Sequence, residues 1–420
     1  MTSPVWHPFT QHGLDQPVIK IARASGAWLE TAGGDQLLDA ISSWWVTTHG
    51  HAHPAIVAAI KAQVENLDQV MFAGLTHEPA ETLARELIKL APYGLEHVFY
   101  SDSGSTAVEV ALKMALGYWR NRGEPRTRIV ALEHAYHGDT VGTMSAGARS
   151  AFTASYEPLL FDVARIPFPH EGREQATLDA LDITCKTEPV AALIVEPLLL
   201  GAGGMLTYPA HILREMKAMC EAYGALLIAD EVLTGWGRTG TLFACEQAGI
   251  TPDILCTAKG LTGGVLPLAA TLCTAPIFEA HRSNDRAQMF FHSSSYSANP
   301  VCCAAAVANA GVWRDEPVRE RVQALVQYQT QALARFAADR RFTGVRQSGT
   351  ITALDLRVPD AGYFAAIGPD LSAFFISRGI LLRPLGNTIY VLPPYCITPC
   401  ELSLIYDAID AAATLFGAAP

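Results

Sequence analysis

Residues 252–264, PDILCTAKGLTGG, contain an apolar run that ends in a single lysine, Lys259. The run predicts a strand of the core, because it is short, apolar and bounded by turn residues. Lysine is among the residues least often buried in proteins. The glycines that follow, Gly260, Gly263 and Gly264, suggest room for a bound cofactor. A lysine at the end of a core strand is therefore unexpected, and its neighbours must explain it.

The chain around this stretch alternates strand-like and helix-like segments. Strands are predicted at 97–101, 128–132, 191–197, 225–231, 253–258 and 268–274, and helices at 105–123 and 209–224. Short apolar strands separated by helices are typical of a buried, mostly parallel sheet. The sequence therefore predicts an α/β fold.

The final hundred residues differ from this pattern. A long helical stretch at 316–339 is followed by two extended pieces and a helix near 399–416. This order predicts a smaller α+β unit, which the turn-rich N-terminal segment joins. We expect a large domain over 42–320 and a small domain formed by 1–41 and 321–420.

Composition limits the classes of partner. The chain has 420 residues, of which 41 are acidic and 30 basic, for a net charge of −11. Nucleic acid is excluded as a partner, because phosphate binding needs clustered positive charge. The most apolar stretch carries Glu196 and two prolines, and it is shorter than the ~18 apolar residues that span a membrane. The N-terminus does not resemble a signal peptide, and we expect a cytoplasmic protein.

The cysteines also favour a cytoplasmic protein. The nine cysteines lie mostly in apolar runs and form no C-x-x-C pair. Reduced thiols in the core are the expected state, and we expect no metal site.

Reactive groups follow three of the predicted strands. Ligands of open parallel sheets bind beyond the carboxyl ends of the strands, where Asp230 and Lys259 lie 29 positions apart. The two form either a salt bridge or part of a site. The third strand leads into residues 103–106, SGST, which open a helix. Such a start either binds an anion or is an ordinary helix cap.

A lysine beside a phosphate site indicates a specific chemistry. A desolvated lysine has a lowered pKa and can attack an aldehyde to form a Schiff base. Pyridoxal 5'-phosphate (PLP) needs such a lysine, a carboxylate for its ring nitrogen and a cup for its phosphate. Lys259, Asp230 and the SGST loop supply these three groups.

Longer motifs carry a family resemblance. The strings IADEVLTGWGRTG, PDILCTAKGLTGG, SDSGSTAVEVALKMA and YHGDT resemble class III PLP-dependent aminotransferases of fold type I. The likeness runs from about Val5 to Thr398. It implies a large domain with a mostly parallel seven-stranded sheet, a smaller α+β domain, and a homodimer with its active sites at the interface.

Further strings narrow the resemblance. VWHPFTQH, SSWWVTTHGHAHP, THEPAETLA and RPLGNTIYVLPPY resemble a subfamily that converts 8-amino-7-oxononanoate to 7,8-diaminononanoate in biotin synthesis. The resemblance implies S-adenosylmethionine as the amino donor, with lysine as the alternative.

The resemblance assigns the cofactor residues. Lys259 would form the Schiff base and move the proton, and Asp230 would pair with the pyridine nitrogen. Gly104 and Ser105 would hold the phosphate. Tyr136 would stack on the cofactor ring and face the substrate, unless it is a core residue.

The resemblance also assigns substrate residues. Trp44 would line the pocket for the long aliphatic chain, unless it is a core residue. Arg383 would clamp the substrate carboxylate, unless it is an exposed surface arginine. Phe9, where family members often have tyrosine, would contact the substrates without donating a hydrogen bond. Asp139 and Arg238 either contact the donor or are solvated surface charges.

One segment departs from the family. Where members usually show His-Gly-Pro-Thr, this chain has His292 followed by three serines. The family threonine reaches the cofactor phosphate of the neighbouring subunit, and Ser295 keeps its hydroxyl. The resemblance assigns Ser294 and Ser295 to the cofactor and Ser293 to the substrate.

Three other functions remain open at this point. Another class III aminotransferase, acting on an ω-amino acid or a diamine, would share the PLP residues. A nicotinamide-dependent oxidoreductase is disfavoured, because no G-x-G-x-x-G joins a strand to a helix. In a non-catalytic binding protein, Asp230 and Lys259 would be structural.

Overall fold

The computed structural model describes residues 4–14, 18–150 and 152–417. Within these ranges the strands are β1 (Ile21–Ser25), β2 (Trp28–Thr31), β3 (Gln36–Asp39), β4 (Leu95–Ser101), β5 (Arg128–Leu132), β6 (Ala164–Ile166), β7 (Val190–Val195), β8 (Leu199–Leu200), β9 (Leu206–Thr207), β10 (Leu226–Asp230), β11 (Ile254–Thr257), β12 (Ala269–Thr274), β13 (Phe342–Ser348), β14 (Ile351–Leu356), β15 (Ile380–Leu381) and β16 (Thr388–Val391).

The helices connect and cover these strands. They are α1 (Ser42–Trp45), α2 (Pro54–Asn66), α3 (Glu78–Leu90), α4 (Gly104–Asn121), α5 (Val141–Ala146), α6 (Glu174–Thr187), α7 (Ala210–Tyr223), α8 (Cys245–Ala248), α9 (Ala275–His281), α10 (Pro300–Asp315), α11 (Val318–Ala334), α12 (Ile367–Ser377) and α13 (Pro399–Phe416). Short 3-10 turns occupy His12–Leu14, Ala154–Leu159, Lys259–Thr262 and Arg286–Gln288.

A seven-stranded sheet forms the centre of the fold. Its order is β4-β12-β11-β10-β7-β5-β6. Strand β12 is antiparallel to both of its neighbours, and the other pairs are parallel. The predicted α/β fold with a mostly parallel seven-stranded sheet is therefore confirmed.

The central strands are buried on both faces, which explains their continuous apolar runs. Every residue of β7, β10 and β11 is buried. On β7, Ile194 packs with the apolar residues of α4, whereas Leu193 and Val195 pack with those of α6 and α7. Successive side chains of a strand point to opposite faces, so one strand contributes to two cores.

Smaller sheets join the two ends of the chain. Strands β1, β2 and β3 near the N-terminus form a sheet in the order β1-β2-β3-β15. Its fourth strand, β15, comes from the C-terminal part of the chain and pairs in parallel with β3. Strands β13, β14 and β16 form an antiparallel sheet. Strand β15 thus connects the C-terminal part of the chain to the N-terminal sheet. The domain boundaries at residues 42 and 320 stay a prediction.

The cysteines are free thiols, but they do not all lie in the core. Cys220, Cys245, Cys256, Cys273 and Cys303 are buried, Cys185, Cys302 and Cys396 are half-buried, and Cys400 is exposed. The expectation of core thiols is thus wrong for Cys400, because it lies in the first turn of α13 on the solvent side. Within the described ranges, no helix is long and apolar enough to cross a membrane.

Candidate active site

Three strand ends meet at one edge of the central sheet. Strand β10 ends at Asp230, β11 is followed by Lys259, and β4 leads into the first turn of α4. They border a cleft of about 450 Å³ whose lining includes five of the seven residues predicted to bind PLP, namely Gly104, Ser105, Tyr136, Asp230 and Lys259, but not Ser294 and Ser295. The parallel strands explain this convergence, because their carboxyl ends share one edge.

Lys259 is half-buried and starts a 3-10 turn. Its Nζ lies 4.9 Å from the centre of the Trp45 ring. Burial lowers the pKa of Lys259 to about 8, although the Asp230 and Glu196 carboxylates favour its charged form. The φ angle of Lys259 is +43°, and a non-glycine residue in that region stores roughly 1–3 kcal/mol of strain. The neutral amine of Lys259 is therefore available near neutral pH. The surroundings of the residue must hold its strained backbone in place.

Asp230 is paired with a histidine that the sequence analysis did not single out. His137 Nδ1 lies 2.7 Å from Asp230 Oδ2, and both side chains are buried. Burial opposes the charged form of His137, but the hydrogen bond and charge of Asp230 outweigh it and raise the pKa of His137. The pair keeps a carboxylate in the cleft wall at a place where an isolated charge would be costly.

Glu196 is a second acidic residue that the sequence analysis did not assign to the site. It follows β7, is buried, and lines the cleft. Its carboxylate accepts hydrogen bonds from the backbone N–H groups of Tyr136 and Gly201, both at 2.9 Å. Burial raises the pKa of Glu196 to about 7. A charged residue directly after an apolar strand, the signal that identified Lys259, also marks this position.

The first turn of α4 fits both interpretations of the SGST loop. Ser103 caps the helix, its Oγ accepting from the N–H of Thr106 at 3.2 Å while Thr106 Oγ1 accepts from the N–H of Ser103 at 2.9 Å. The backbone N–H groups of Gly104 and Ser105 have no carbonyl partner within the helix, because they belong to its first turn. A Cβ at Gly104 would lie 2.6 Å from a methyl carbon of Val232. The turn is therefore capped, and Ser103, Gly104 and Ser105 also line the cleft.

The glycines after Lys259 allow other parts of the protein to pack closely against this turn. A Cβ at Gly260 would lie 2.6 Å from Cβ of Trp236, and one at Gly264 would lie 2.5 Å from the carbonyl of Val46. Gly264 also has a φ of +89°, which favours glycine. The expectation that these glycines leave space for a cofactor is wrong for Gly260, because the space at that position is filled by Trp236.

Phe9, Trp44 and Arg383 lie together outside the cleft lining. The Arg383 guanidinium lies 5.2 Å from the Trp44 ring centre and donates to the carbonyl of Phe9 at 3.1 Å. Rings of Phe9 and Trp44 are 5.7 Å apart. Phe152 connects this group to the cleft, with ring centres 5.9 Å from Phe9 and 6.3 Å from Tyr136. All three predicted residues are exposed, so the group is accessible to a ligand.

The two adjacent tryptophans, Trp44 and Trp45, lie in different places. Trp45, not Trp44, is the tryptophan in the cleft lining. It is buried, and its Nε1 donates to the hydroxyl of Tyr390 at 3.0 Å. Sequence reasoning could not separate adjacent tryptophans, because the backbone here departs from a regular helix at Ser43 and Trp44.

The three serines are placed differently from one another. Ser294 Oγ donates to the Asp102 carboxylate, and Asp102 lines the cleft. Ser293 and Ser295 are exposed. The carbonyl of Ser295 accepts from Gln69 at 2.6 Å. Of the three, Ser294 is thus the one linked to the cleft of its own chain.

The two residues with open assignments have different environments. Arg238 is fully buried and donates to the carbonyls of Pro393 and Thr47 at 2.9 and 3.0 Å. The solvated-charge alternative is therefore wrong for Arg238. Asp139 is exposed, and its charge raises the pKa of Tyr136 further after burial has raised it.

Comparison with known proteins decides the family. The family described as Aminotransferase class-III matches residues 9–413. The chain belongs to the class-III aminotransferases. The predicted family and the predicted enzyme class are both confirmed.

Two relatives illustrate the similarity of this aminotransferase to known members. The adenosylmethionine-8-amino-7-oxononanoate aminotransferase of Synechococcus elongatus is 48% identical over 413 residues, covering 96% of this chain and 97% of the relative. The protein of the same name from Mycobacterium leprae is 38% identical over 426 residues, covering 98% and 95%.

Solved aminotransferase structures share the fold over nearly the whole chain. The adenosylmethionine-8-amino-7-oxononanoate aminotransferase of Methanocaldococcus jannaschii superposes with a TM-score of 0.94 at 33% identity, covering 98% of this chain and 97% of that one. A PLP-bound amine transaminase from an uncultivated Pseudomonas species gives 0.93 at 31% identity, covering 99% and 100%.

Proposed function

We propose that this aminotransferase uses PLP to convert 8-amino-7-oxononanoate to 7,8-diaminononanoate, a step of biotin synthesis, with S-adenosylmethionine as the amino donor. The observation that carries the substrate assignment is the 48% identity, over nearly both full lengths, to the Synechococcus relative of that name. The assignment of the reaction class rests on the cleft that Lys259 and Asp230 both line.

The residues present in the cleft fit PLP. Lys259 offers an amine whose pKa burial lowers to about 8. Asp230 offers a carboxylate that His137 holds. The amides of Gly104 and Ser105 offer donors for a phosphate at a helix N-terminus. The aldehyde, ring nitrogen and phosphate of PLP each therefore have a matching group in one cleft.

PLP, when bound, supplies an electron-withdrawing ring that acidifies the Cα–H bond of an attached amine. Lys259 Nζ is the base that would take this proton and return it, since its neutral form is populated near pH 8. Asp230, which His137 holds by a hydrogen bond, would pair with the ring nitrogen. Tyr136 would cover one face of the ring, because it lines the same cleft.

The group outside the cleft lining suits a long-chain carboxylate substrate. Arg383 carries a guanidinium, which binds carboxylates through two parallel hydrogen bonds. Phe9 and Trp44 offer apolar ring surface beside it. An aliphatic chain would therefore run along the rings with its acidic end at Arg383.

We also propose that the enzyme is a cytoplasmic homodimer in which Ser295 contributes its hydroxyl to the partner's site. Support comes from exposed apolar residues on the two segments that a hydrogen bond joins at Gln69 and Ser295. Met71, Phe291 and Tyr296 are 65%, 61% and 63% exposed, and exposed apolar patches mark interfaces. The nine free thiols suit a reducing compartment.

A second function is favoured by one observation. The Pseudomonas amine transaminase superposes almost as well as the Methanocaldococcus enzyme, with TM-scores of 0.93 and 0.94. An enzyme acting on an ω-amino acid or a diamine would share the cleft. Comparing turnover with 8-amino-7-oxononanoate and with pyruvate as the amino acceptor separates the two, and a preference for pyruvate would assign the second function.

Absorbance and donor specificity test the proposal directly. We expect the purified protein to be yellow with bound PLP and to lose its colour when S-adenosylmethionine is added without an acceptor. Lys259→Ala removes the amine, so we expect no detectable turnover and no donor-dependent change. Exposed Lys61→Ala is the matched control and should behave as the unaltered chain.

Two results would count against the proposal. A colourless protein that takes up no PLP contradicts the reaction class. A yellow protein that responds to lysine but not to S-adenosylmethionine contradicts only the donor assignment.

A further inference from the structure

A buried amide on α10 contacts the turn that carries Lys259. Asn309 Nδ2 donates to the carbonyl oxygens of Gly260 and Leu261, both at 3.0 Å. Asn309 is fully buried. The two carbonyls belong to the two residues directly after Lys259, so these hydrogen bonds fix the direction in which the turn leaves β11.

His49 fixes the orientation of this amide. Its Nε2 lies 2.8 Å from Asn309 Oδ1. Since the main-chain carbonyls only accept hydrogen bonds, the amide NH₂ must face them and Oδ1 must face His49. His49 therefore donates from Nε2. Burial lowers the pKa of His49 to about 4, so the ring stays neutral and keeps this single orientation at neutral pH.

The turn needs such a support. The φ of Lys259 is +43°, in the left-handed region that side chains other than glycine rarely adopt. Strained conformations persist only where the surroundings determine them. Packing around the turn is close, since a Cβ at Gly263 would lie 3.3 Å from Asn309 Oδ1 and 2.6 Å from a methyl carbon of Ile56.

We propose that Asn309, oriented by His49, is a positioning residue that holds the strained turn so that the Lys259 amine points into the cleft. Neither side chain lines the cleft, so both act through the backbone of the turn. The proposal rests on the proposed function for its catalytic consequence, but the geometry of the amine can be tested without it.

The first test compares Asn309→Ala with the unaltered holoenzyme. We expect kcat to fall roughly 10- to 100-fold, because misplacing a reacting group by about 1 Å costs this much. KM for the amino acceptor should stay within about threefold, since no substrate contact is removed. The pH midpoint of the visible absorbance of bound PLP should also shift.

The second test does not need turnover. The full chain freed of PLP is treated with formaldehyde and cyanoborohydride, and methylation of the Lys259 peptide is followed by mass spectrometry across pH. In Asn309→Ala we expect the midpoint for Lys259 to rise by about one pH unit as the turn loosens and the amine becomes hydrated. The other lysines should be unaffected.

Gln347→Ala provides the matched control. Gln347 Nε2 also donates to two main-chain carbonyls, those of Val326 and Gly349, at 3.0 and 2.9 Å. It lies on β13, away from the cleft lining. We expect this control to keep kcat and Lys259 labelling within twofold of the unaltered chain.

Two variants at His49 test the proposal if Asn309→Ala does not fold. His49→Gln retains a donor for Asn309 and should preserve kcat within about threefold, whereas His49→Leu should reproduce the defect. The proposal is wrong if His49→Leu folds and both kcat and Lys259 labelling match the unaltered chain. An unaltered chain that labels as expected but does not transaminate contradicts only the proposed function.

Discussion

At the scale of single residues, the site consists of charges placed at the ends of buried strands. Lys259, Asp230 and Glu196 each follow an apolar run, and each is penalised by desolvation. Opposite charges close by reduce this penalty, which is why Asp230 and Glu196 oppose the burial effect on the pKa of Lys259. The ammonium form of Lys259 is therefore tolerated because two carboxylates lie near it, whereas the charge of Asp230 disfavours the charged form of Glu196.

Glu196→Gln tests this support of Lys259. The carboxylates of Asp230 and Glu196 stabilise the ammonium form of Lys259, so removing one should lower the pKa of Lys259 below about 8. The neutral, reactive amine would then persist to lower pH, and the midpoint of formaldehyde labelling should fall. Exposed Glu171→Gln is the control. An unchanged or raised midpoint in Glu196→Gln contradicts the prediction.

At the scale of elements, most boundaries follow from local signals. The strand predicted at 128–132 and the helix predicted near 399–416 coincide with β5 and α13. Helix α13 begins with a capping box, in which Thr398 Oγ1 accepts from the N–H of Glu401 at 3.3 Å and Glu401 accepts from the N–H of Thr398 at 2.7 Å. Such signals are visible in sequence because their partners are three residues apart.

Thr398→Ala removes this cap. We expect the free energy of unfolding to fall by about 1 kcal/mol, the usual cost of losing a threonine cap. Urea unfolding followed by circular dichroism measures the change, and kcat should not change because α13 does not line the cleft. Ser403→Ala, on an exposed face of the same helix, should change the free energy by less than about 0.5 kcal/mol. Equal effects from both variants would contradict the role of the cap.

At the scale of the whole molecule, contacts between distant segments complete the site. Arg238 donates to carbonyls of Thr47 and Pro393, and Trp45 donates to Tyr390. The segment around Trp45 is thereby held against the C-terminal part of the chain. The cleft wall thus depends on residues more than 300 positions apart.

Subunit mixing tests the proposed homodimer. We expect Lys259→Ala alone to be inactive and Ser295→Ala to bind PLP roughly 10-fold more weakly, since one hydrogen bond to a charged group is lost. In a mixed dimer, one site would combine an intact Lys259 with an intact Ser295 from the partner. Co-expression of two differently tagged variants, followed by isolation of the mixed dimer, should restore PLP affinity and turnover at that site.

Two outcomes would contradict the shared site. The first is a monomer in sedimentation at working concentration. Alternatively, the mixed dimer could bind PLP as weakly as Ser295→Ala alone, which would place the hydroxyl outside the partner's site.

The amino-acid sequence alone determined the α/β class, the family and the five cleft residues that it names for PLP. The α/β class follows from periodicity, and the family and the cleft residues follow from the resemblance of motifs whose members lie close together in the chain. The tertiary structure decided that Trp45 rather than Trp44 lines the cleft, that His137 holds Asp230, and that Asn309 contacts the Lys259 turn. The physical reason is that burial and hydrogen bonding between distant segments depend on how the chain folds back on itself, which no local pattern records.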